Sequence, residues 1–437
     1  MLAIVIGLGV VTVSFAQPKI NSPYSRIGLG DLADQNFAGL RVIGGIAASY
    51  HDPYHMNLLN PASLTYLNAT SFEIGIDATR NHLRSNGETT GLWSGNLSYF
   101  SLGFPTKNPV NRQVNPIKSP WHWAMNFSLV PYTNVGYDIE TEGTTQGGDE
   151  TATFNFQGSG GTTQVIWGNG IRYNNISFGL NLGYLFGSIT NEREVVFNDL
   201  EASYIDLFND EFSTRGVTWR LGVQYDHVFE KKNDRGEMEP DGRRITIGAY
   251  GNSANNIKFN SSSLVRRVNP SYIALDTLVS IDNSDVSGRL PAEFGIGVSY
   301  TKDFKWRLGI DYSMATWSQY ENEAKRENLV NSWRLAVGGN FTPNIRSYNN
   351  YFKKITYNFG AFYSKDPRGS STEDLLNYGI TTGVILPIIM KGQASAVNIS
   401  FELGQLGIDG GLKDIYGKLT LGFTLNNNQW FLKRKFY

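Results

Sequence analysis

Along residues 305–314 the chain alternates strictly. Trp306, Leu308, Ile310, Tyr312 and Met314 fall on one side of an extended strand, and Lys305, Arg307, Gly309, Asp311 and Ser313 on the other. The pattern predicts a strand with one apolar face without saying which face is inside. The same alternation recurs from Thr70 to the end. It is found in Phe72, Ile74 and Ile76; in Trp123, Met125, Phe127 and Leu129; in Phe178, Leu180, Leu182 and Tyr184; and in Val217, Trp219, Leu221, Val223 and Tyr225. It continues through Phe294, Ile296, Val298 and Tyr300, then Val397, Ile399, Phe401 and Leu403, then Leu419, Leu421, Phe423 and Leu425. With weaker alternation near 92–104, 245–259, 333–341 and 378–388, the pattern predicts about fourteen strands, an even number of the kind bacterial outer-membrane barrels use.

The opposite face decides the sidedness. It carries Glu73, Asp77, Arg220, Asp226, Arg307, Asp311 and Glu402 among glycine, serine, threonine and asparagine. A soluble sandwich would bury its apolar faces sheet against sheet. So many strands with one rich apolar face fit lipid outside and a wet or plugged lumen, which makes the expected fold an all-β transmembrane antiparallel β-barrel. Segments of roughly 9–11 residues suffice to cross a bilayer at a tilt. The connections agree: 174–175, 301–305 and 389–394 are short, whereas 81–91, 140–160, 199–216, 260–288, 319–331, 366–376 and 407–416 are mostly longer, as periplasmic turns and external loops are. Two connections, 105–120 and 230–243, run against this contrast.

Composition narrows the class. Only 18% of residues are charged, glycine numbers 47, aromatics make up 13%, and there is no cysteine. Glycine- and aromatic-rich chains of this kind are all-β. Without cysteine there is no thiol catalysis and no disulfide, and a net charge of -1 gives no electrostatic footprint for nucleic acid.

The first sixteen residues, "MLAIVIGLGVVTVSFA", are too short to span a bilayer as a helix and end in small residues, so a signal peptide is expected over 1–16 and export to the outer membrane of a Gram-negative bacterium follows. The usual preceding basic residues are missing. Residues 17–69 lack strand alternation yet hold too many apolar residues for a free tail. A barrel of this size has an interior that needs filling, so 17–69 is expected as a plug, or hatch, inside a barrel formed by 70–437.

From here the chain resembles the FadL-type transporter superfamily of outer-membrane proteins. The points of similarity are a glycine- and alanine-rich stretch followed by Asn60, Pro61 and Ala62, then "LVPYTNVGY" at 129–137, "GSGGTTQVIWGNG" at 158–170, "RLPAEFGIGVSY" at 289–300 and "WRLGIDYSMATWSQY" at 306–320. Pro131 removes a ladder donor from the third strand. The resemblance implies that Pro131, Tyr132 and Gly136 form a kink that opens the barrel wall sideways; alternatively the strand ends near Val130 and 131–139 projects above the bilayer. In "NDLEASYIDLFNDEF", 198–212, Leu200, Tyr204, Leu207 and Phe208 would share one helical face. The resemblance implies a ligand-capturing loop there, and the plainer alternative is a helix packed over the barrel mouth.

Two functions follow from the resemblance. One is a passive uptake channel for hydrophobic small molecules of the long-chain fatty-acid kind. The other is a non-transporting accessory barrel, similar to PorV-type members, whose partners are other outer-membrane or secretion-machinery proteins. Other motifs carry little: "GGDE" at 147–150 lacks a βα context, His51 and His55 flank Asp52-Pro53 rather than share a helix turn, and "GSGG" at 158–161 precedes a strand. Nothing in the sequence calls for an enzyme, a cofactor or a metal.

Overall fold

The computed structural model describes residues 22–85, 87–107, 119–144, 151–197, 204–234, 236–390 and 393–427. The expected signal peptide, Leu200 and "GGDE" lie outside them. Among the described residues one antiparallel sheet runs through β1 (Asp31–Leu32), β2 (Thr70–Ser85), β3 (Glu88–Pro105), β4 (Trp121–Thr144), β5 (Thr151–Tyr173), β6 (Ile176–Phe197), β7 (Ile205–Lys232), β8 (Met238–Asn252) and β9 (Asn255–Val268). It continues through β10 (Ala274–Leu290), β11 (Glu293–Lys302), β12 (Trp306–Ala315), β13 (Glu321–Asn322), β14 (Ser332–Phe341), β15 (Thr356–Asp366), β16 (Leu375–Met390), β17 (Gln393–Gly407) and β18 (Lys413–Asn427).

Fourteen strands close into a barrel: β2–β8, β11, β12 and β14–β18. Closure joins β18 to β2, with Thr70 opposite Asn427 and Arg84 opposite Lys413. Closure pairs every strand of the ring with two neighbours, which is how a strand protein satisfies its backbone in lipid. The alternation resolves as expected. Val217, Phe178 and Phe359 are 65%, 61% and 62% exposed on the outside, while Ser177, Gln224 and Asn358 on the alternate face are fully buried. The apolar face of residues 306–314 therefore points outward.

The strands are longer than the alternation suggests. β4, β5, β6 and β7 run 24, 23, 22 and 28 residues, well beyond the ~9–11 that span a bilayer. Their outer halves rise above the ring as a continuous sheet. Expected external loops are thereby absorbed: the described residues of 81–91 form the ends of β2 and β3, those of 140–160 extend β4 and β5, residues 205–216 of the expected 199–216 begin β7, and 260–288 becomes the hairpin β9–β10. The alternation near 245–259 splits into β8 and β9. β7 pairs with β6 along one side and, along the other, with β8 over Leu221–Lys232 and with β9 over Ile205–Arg215.

The helix expected over 198–212 is absent from its described part. Residues 205–212 are strand, with Leu207 opposite Glu194 of β6 and Arg266 of β9. A ladder on both sides satisfies every backbone group there, and this outweighs the local helical spacing. Leu207 and Phe208 consequently take opposite faces of the sheet. Arg193 stacks over Phe208 at 3.7 Å and Arg267 lies 5.5 Å from the Tyr204 ring.

Candidate functional site

The N-terminal segment 22–69 has little regular structure: 3-10 turns at Pro23–Arg26 and Pro61–Tyr66, one helical turn at Ala38–Arg41, and β1. It is almost wholly buried. Phe37, Leu40, Ile43, Ile46, Tyr50, Met56, Leu58 and Leu64 form its apolar centre, joined from the barrel by Tyr99, Ile166, Ala336 and Phe362.

A buried irregular chain must find partners for its backbone, and side chains on the face of the sheet opposite the apolar one supply them. Asp311 Oδ2 accepts from the N–H groups of Ala47 and Ala48 at 2.5 and 2.6 Å. Gln224 Nε2 donates to the carbonyls of Ala48 and Tyr50, Asn181 to that of Leu58, Arg307 to that of His51 and Arg334 to that of Gly44. Glu73 accepts from the Met56 N–H at 2.6 Å. These donors and acceptors come from β2, β6, β7, β12 and β14, so the segment is held from several sides of the ring.

Asn60, Pro61 and Ala62 lie at the centre of these contacts. Asn60 caps the Pro61–Tyr66 turn by accepting from the Ala62 N–H at 3.2 Å. Its amide donates to the carbonyls of Ala48 at 2.6 Å and of Val223 and Ala249 at 3.3 and 3.4 Å. Pro61, with its φ fixed and no donor to lose, is suited to the first position of such a turn.

Close approach is possible because the wall is glycine where the segment touches it. A Cβ on Gly179 would sit 2.2 Å from the Pro61 carbonyl carbon, on Gly222 2.1 Å from Asn60 Oδ1, and on Gly248 1.8 Å from the Ala48 oxygen. Across the ring, Gly338 and Gly360 would meet the Ile43 oxygen at 2.3 Å and the Gly44 nitrogen at 2.2 Å. Only glycine admits backbone this near. Alternation along a single strand puts glycine on the inward face, but that these glycines align across strands is visible only in the fold.

A charged cluster sits beyond the apolar centre. Arg41, 3% exposed in its side chain, donates to Asp77 Oδ1 at 2.7 Å, to Ser98 Oγ at 3.0 Å and to the Asp34 carbonyl at 2.6 Å, and its Nε lies 3.4 Å from Asp34 Oδ2. Burial raises the Asp34 pKa, but the Arg41 guanidinium overrides it and holds that carboxyl below its ordinary value. Arg220 pairs with Glu293 at 2.6 Å. Arg368 pairs with Asp366 at 2.8 Å and with Asp31 of β1. These groups line a cavity of about 460 Å³ together with Lys365, Glu402, Asp414 and Lys418.

The cavity reaches a seam in the wall. β3 and β4 pair only from Phe100–Leu129 to Pro105–Ala124, and among the described residues their ladder stops there. β4 does not end: it continues to Thr144 against β5, through an irregularity between Pro131 and Thr133. The strand does not end near Val130, because its ladder with β5 carries it through Pro131 to Thr144; what changes at the proline is its other neighbour, since pairing with β3 stops at Leu129. Opposite the irregularity, Gly160 and Gly161 take φ of +110° and +145°, and a Cβ on Gly161 would meet the Thr133 oxygen at 2.4 Å.

The edge of β4 freed above Pro131 is taken by the N-terminal segment. Asp31 and Leu32 pair with Asn134 and Thr133, the Ala33 N–H donates to the Tyr132 carbonyl at 2.9 Å, and the Gly136 N–H donates to Ser25 Oγ at 3.2 Å. Pro131 and Tyr132 line the cavity, with Leu32 and Leu97 at its wall side. Leu207 and Phe208, on the sheet above, are not among the lining residues.

His51 and His55 go separate ways. His51 stacks on Tyr66 at 3.6 Å and lies 3.2 Å from Asp226, and burial pushes its pKa down; His55 faces Glu73 and Thr424. "GSGG" lies within β5.

None of the curated proteins compared with the chain matches it. The family model described as BamG matches residues 1–437. The chain belongs to the BamG family. The BamG-family barrel is also similar in fold to the toluene transporter TbuX of Ralstonia pickettii, at 13% identity over 90% of this chain and 99% of that one, with a TM-score of 0.53. A FadL homologue of Pseudomonas aeruginosa aligns at 12% identity over 94% and 100%, TM-score 0.53, and the toluene transporter TodX of Pseudomonas putida at 14% over 92% and 99%, TM-score 0.53. The fold of this BamG-family member is therefore that of the FadL-type outer-membrane barrels.

Proposed function

We propose that the protein is a non-transporting accessory barrel of the Gram-negative outer membrane, acting in a complex that assembles membrane proteins, with segment 22–69 as a fixed plug. The observation that carries this reading is the lining of the cavity. Arg41 and Asp77, Arg368 and Asp366, and the half-buried Arg220 and Glu293 meet there as ion pairs. A hydrocarbon-like solute lodged among them would take the place of water or of a polar partner without offering a hydrogen bond, at a cost of roughly 1–3 kcal/mol for each group left unsatisfied. The BamG match over the whole chain supports an association with membrane-protein assembly, whereas the likeness to toluene transporters is one of fold.

A second reading, passive uptake of hydrophobic small molecules, is favoured by the seam. There Leu32 and Leu97 border a stretch of wall where β3 and β4 do not pair. One experiment separates the two. Cells with the protein, without it, and with Pro131→Val are compared for uptake of toluene, and the protein is purified from each in mild detergent. The accessory reading expects a stoichiometric protein partner and toluene uptake equal in all three. Purification alone, with uptake that falls to the deletion level in Pro131→Val, would establish the channel instead.

A further inference from the structure

The hairpin β9–β10 leaves the barrel between Asn252 and Glu293, which themselves pair. β9 returns along the outer half of β7, and β10 pairs with β9. On its other side β10 is bonded, among the described residues, only at its base, where Gly288 and Arg289 pair with β13 and both backbone groups of Ser287 bond Glu323. Every residue from 272 to 283 is exposed, including Tyr272, Ile273, Leu275, Leu278, Val279 and Ile281.

A long, apolar, exposed edge strand is a template for pairing, and proteins ordinarily cover or charge such an edge with lysine. Here the stretch 272–287 contains Asp276, Asp282 and Asp285 and no lysine or arginine. Asp285 is held by Arg215 of β7 at 3.4 Å and by Asn260, and Asp276 lies opposite Arg267 of β9, which is itself paired with Asp206 at 2.7 Å, so Asp276 and Asp282 carry the charge of the edge. Register shifts fall between Ala274 and Asp276, between Thr277 and Val279, and between Ile281 and Ser284. They interrupt pairing with β9 and put Leu275 and Leu278 outside the regular ladder, so the edge alternates short runs of free backbone with projecting apolar side chains. That arrangement discourages stacking of identical strands and suits a segment carrying both apolar and basic residues.

We infer that the free edge of β10 is a docking surface for an extended, basic and apolar segment of a partner protein. Backbone groups of 279–281 and 284–286 pair with the incoming segment, Leu275, Leu278 and Ile281 pack against its apolar residues, and Asp276 and Asp282 meet its lysines or arginines. Acidic charge at this edge also disfavours anionic lipid and polysaccharide as occupants. The inference rests on the accessory-barrel reading and names the chemistry of its partner.

The test uses the full chain in mild detergent and two peptides of about ten residues, one alternating valine and lysine, the other valine and glutamate. The lysine peptide is expected to bind at moderate salt and the glutamate peptide not. Val279→Lys with Ile281→Lys should weaken binding about tenfold, and Asp276→Lys with Asp282→Lys should exchange the preference to the glutamate peptide. All these positions are exposed, so the barrel should keep its heat-dependent gel shift. Equal binding of both peptides, binding of neither, or binding unmoved by the substitutions would overturn the inference. So would a dimer of the wild-type chain that the lysine substitutions dissolve, which would make the occupant a second copy. If a stoichiometric partner co-purifies with the wild type, its retention by the lysine variant overturns this docking site while leaving the accessory function standing. Absence of any partner overturns the accessory reading, and the peptides still decide the edge.

Discussion

The carboxylate of Asp311 accepts the backbone N–H of Ala48 at 2.6 Å, and the same oxygen takes the N–H of Ala47. A strand residue of the wall thereby serves two donors of an irregular chain that has no ladder of its own. Replacing Asp311 by alanine leaves both donors without this acceptor, at about 1.5–3 kcal/mol for a hydrogen bond to a charged group. The expected outcome is faster amide exchange at Ala47 and Ala48 with the β11–β12 ladder unchanged, measured by hydrogen exchange in detergent.

Glycine at the contact points makes a sharper prediction. Gly222→Val or Gly248→Val drives a side chain into Asn60 or Ala48, and the neighbours there are backbone or a capping amide that cannot swing away. The segment should be displaced while the ring still closes. Proteoliposomes should then leak small polar sugars, as they should after deletion of 21–60. Val223→Ala, whose side chain points outward, should leak no more than the wild type; equal leakage from all variants would count against a plug.

Acid should loosen the segment through Asp34. Its folded pKa lies below the ordinary value because of Arg41, so its stabilising contribution is present above the unfolded value of about 3.9 and is lost as pH falls through the folded one. Protection of 22–69 from an acid-tolerant protease should hold from pH 8 to about 5 and decline below about 4. Asp34→Asn should be less protected at neutral pH and show a smaller decline.

Arg368 fixes β1 from the side opposite β4. Arg368→Met leaves the Asp31 and Asp366 carboxylates without their buried partner, and breaking a buried pair from one side costs about 3–5 kcal/mol. Residues 22–33 should become sensitive to trypsin at Arg26 while the barrel stays intact on heated and unheated gels. Arg368→Lys should restore part of the protection, since it keeps the charge but not the forked pairing with Asp366.

The ring was legible in the sequence because lipid and lumen demand opposite residues on alternate positions. Val217, Trp219 and Leu221 against Thr218, Arg220 and Gly222 is a signal written locally, once per strand. Strand length was not legible. Outside the membrane both faces of β7 meet water or other sheet, so Leu207 and Phe208 lose the alternation and mimic a helical face. The anchors of 22–69 were seen only as inward charges: Asp311 and Arg307 stood out, but their partners at Ala47, Ala48 and His51 are backbone groups that no residue type announces. The seam was half legible, since Pro131 marks where pairing with β3 stops, while nothing in Asp31 or Leu32 shows that they take the vacated edge.

One strand, β7, joins the outermost hairpin to the middle of the barrel without a break. Its outer half is bonded to β9, and its inner half carries Gly222, the point where the wall touches Asn60. Hydrogen-bonded ladders are stiff along the strand, so a tug on the hairpin is felt as tension along β7 and arrives at one of the glycines where the wall closes on segment 22–69, against the capping amide of Asn60. The molecule thus has a mechanical line from its outermost hairpin to its N-terminal segment, carried by a single strand.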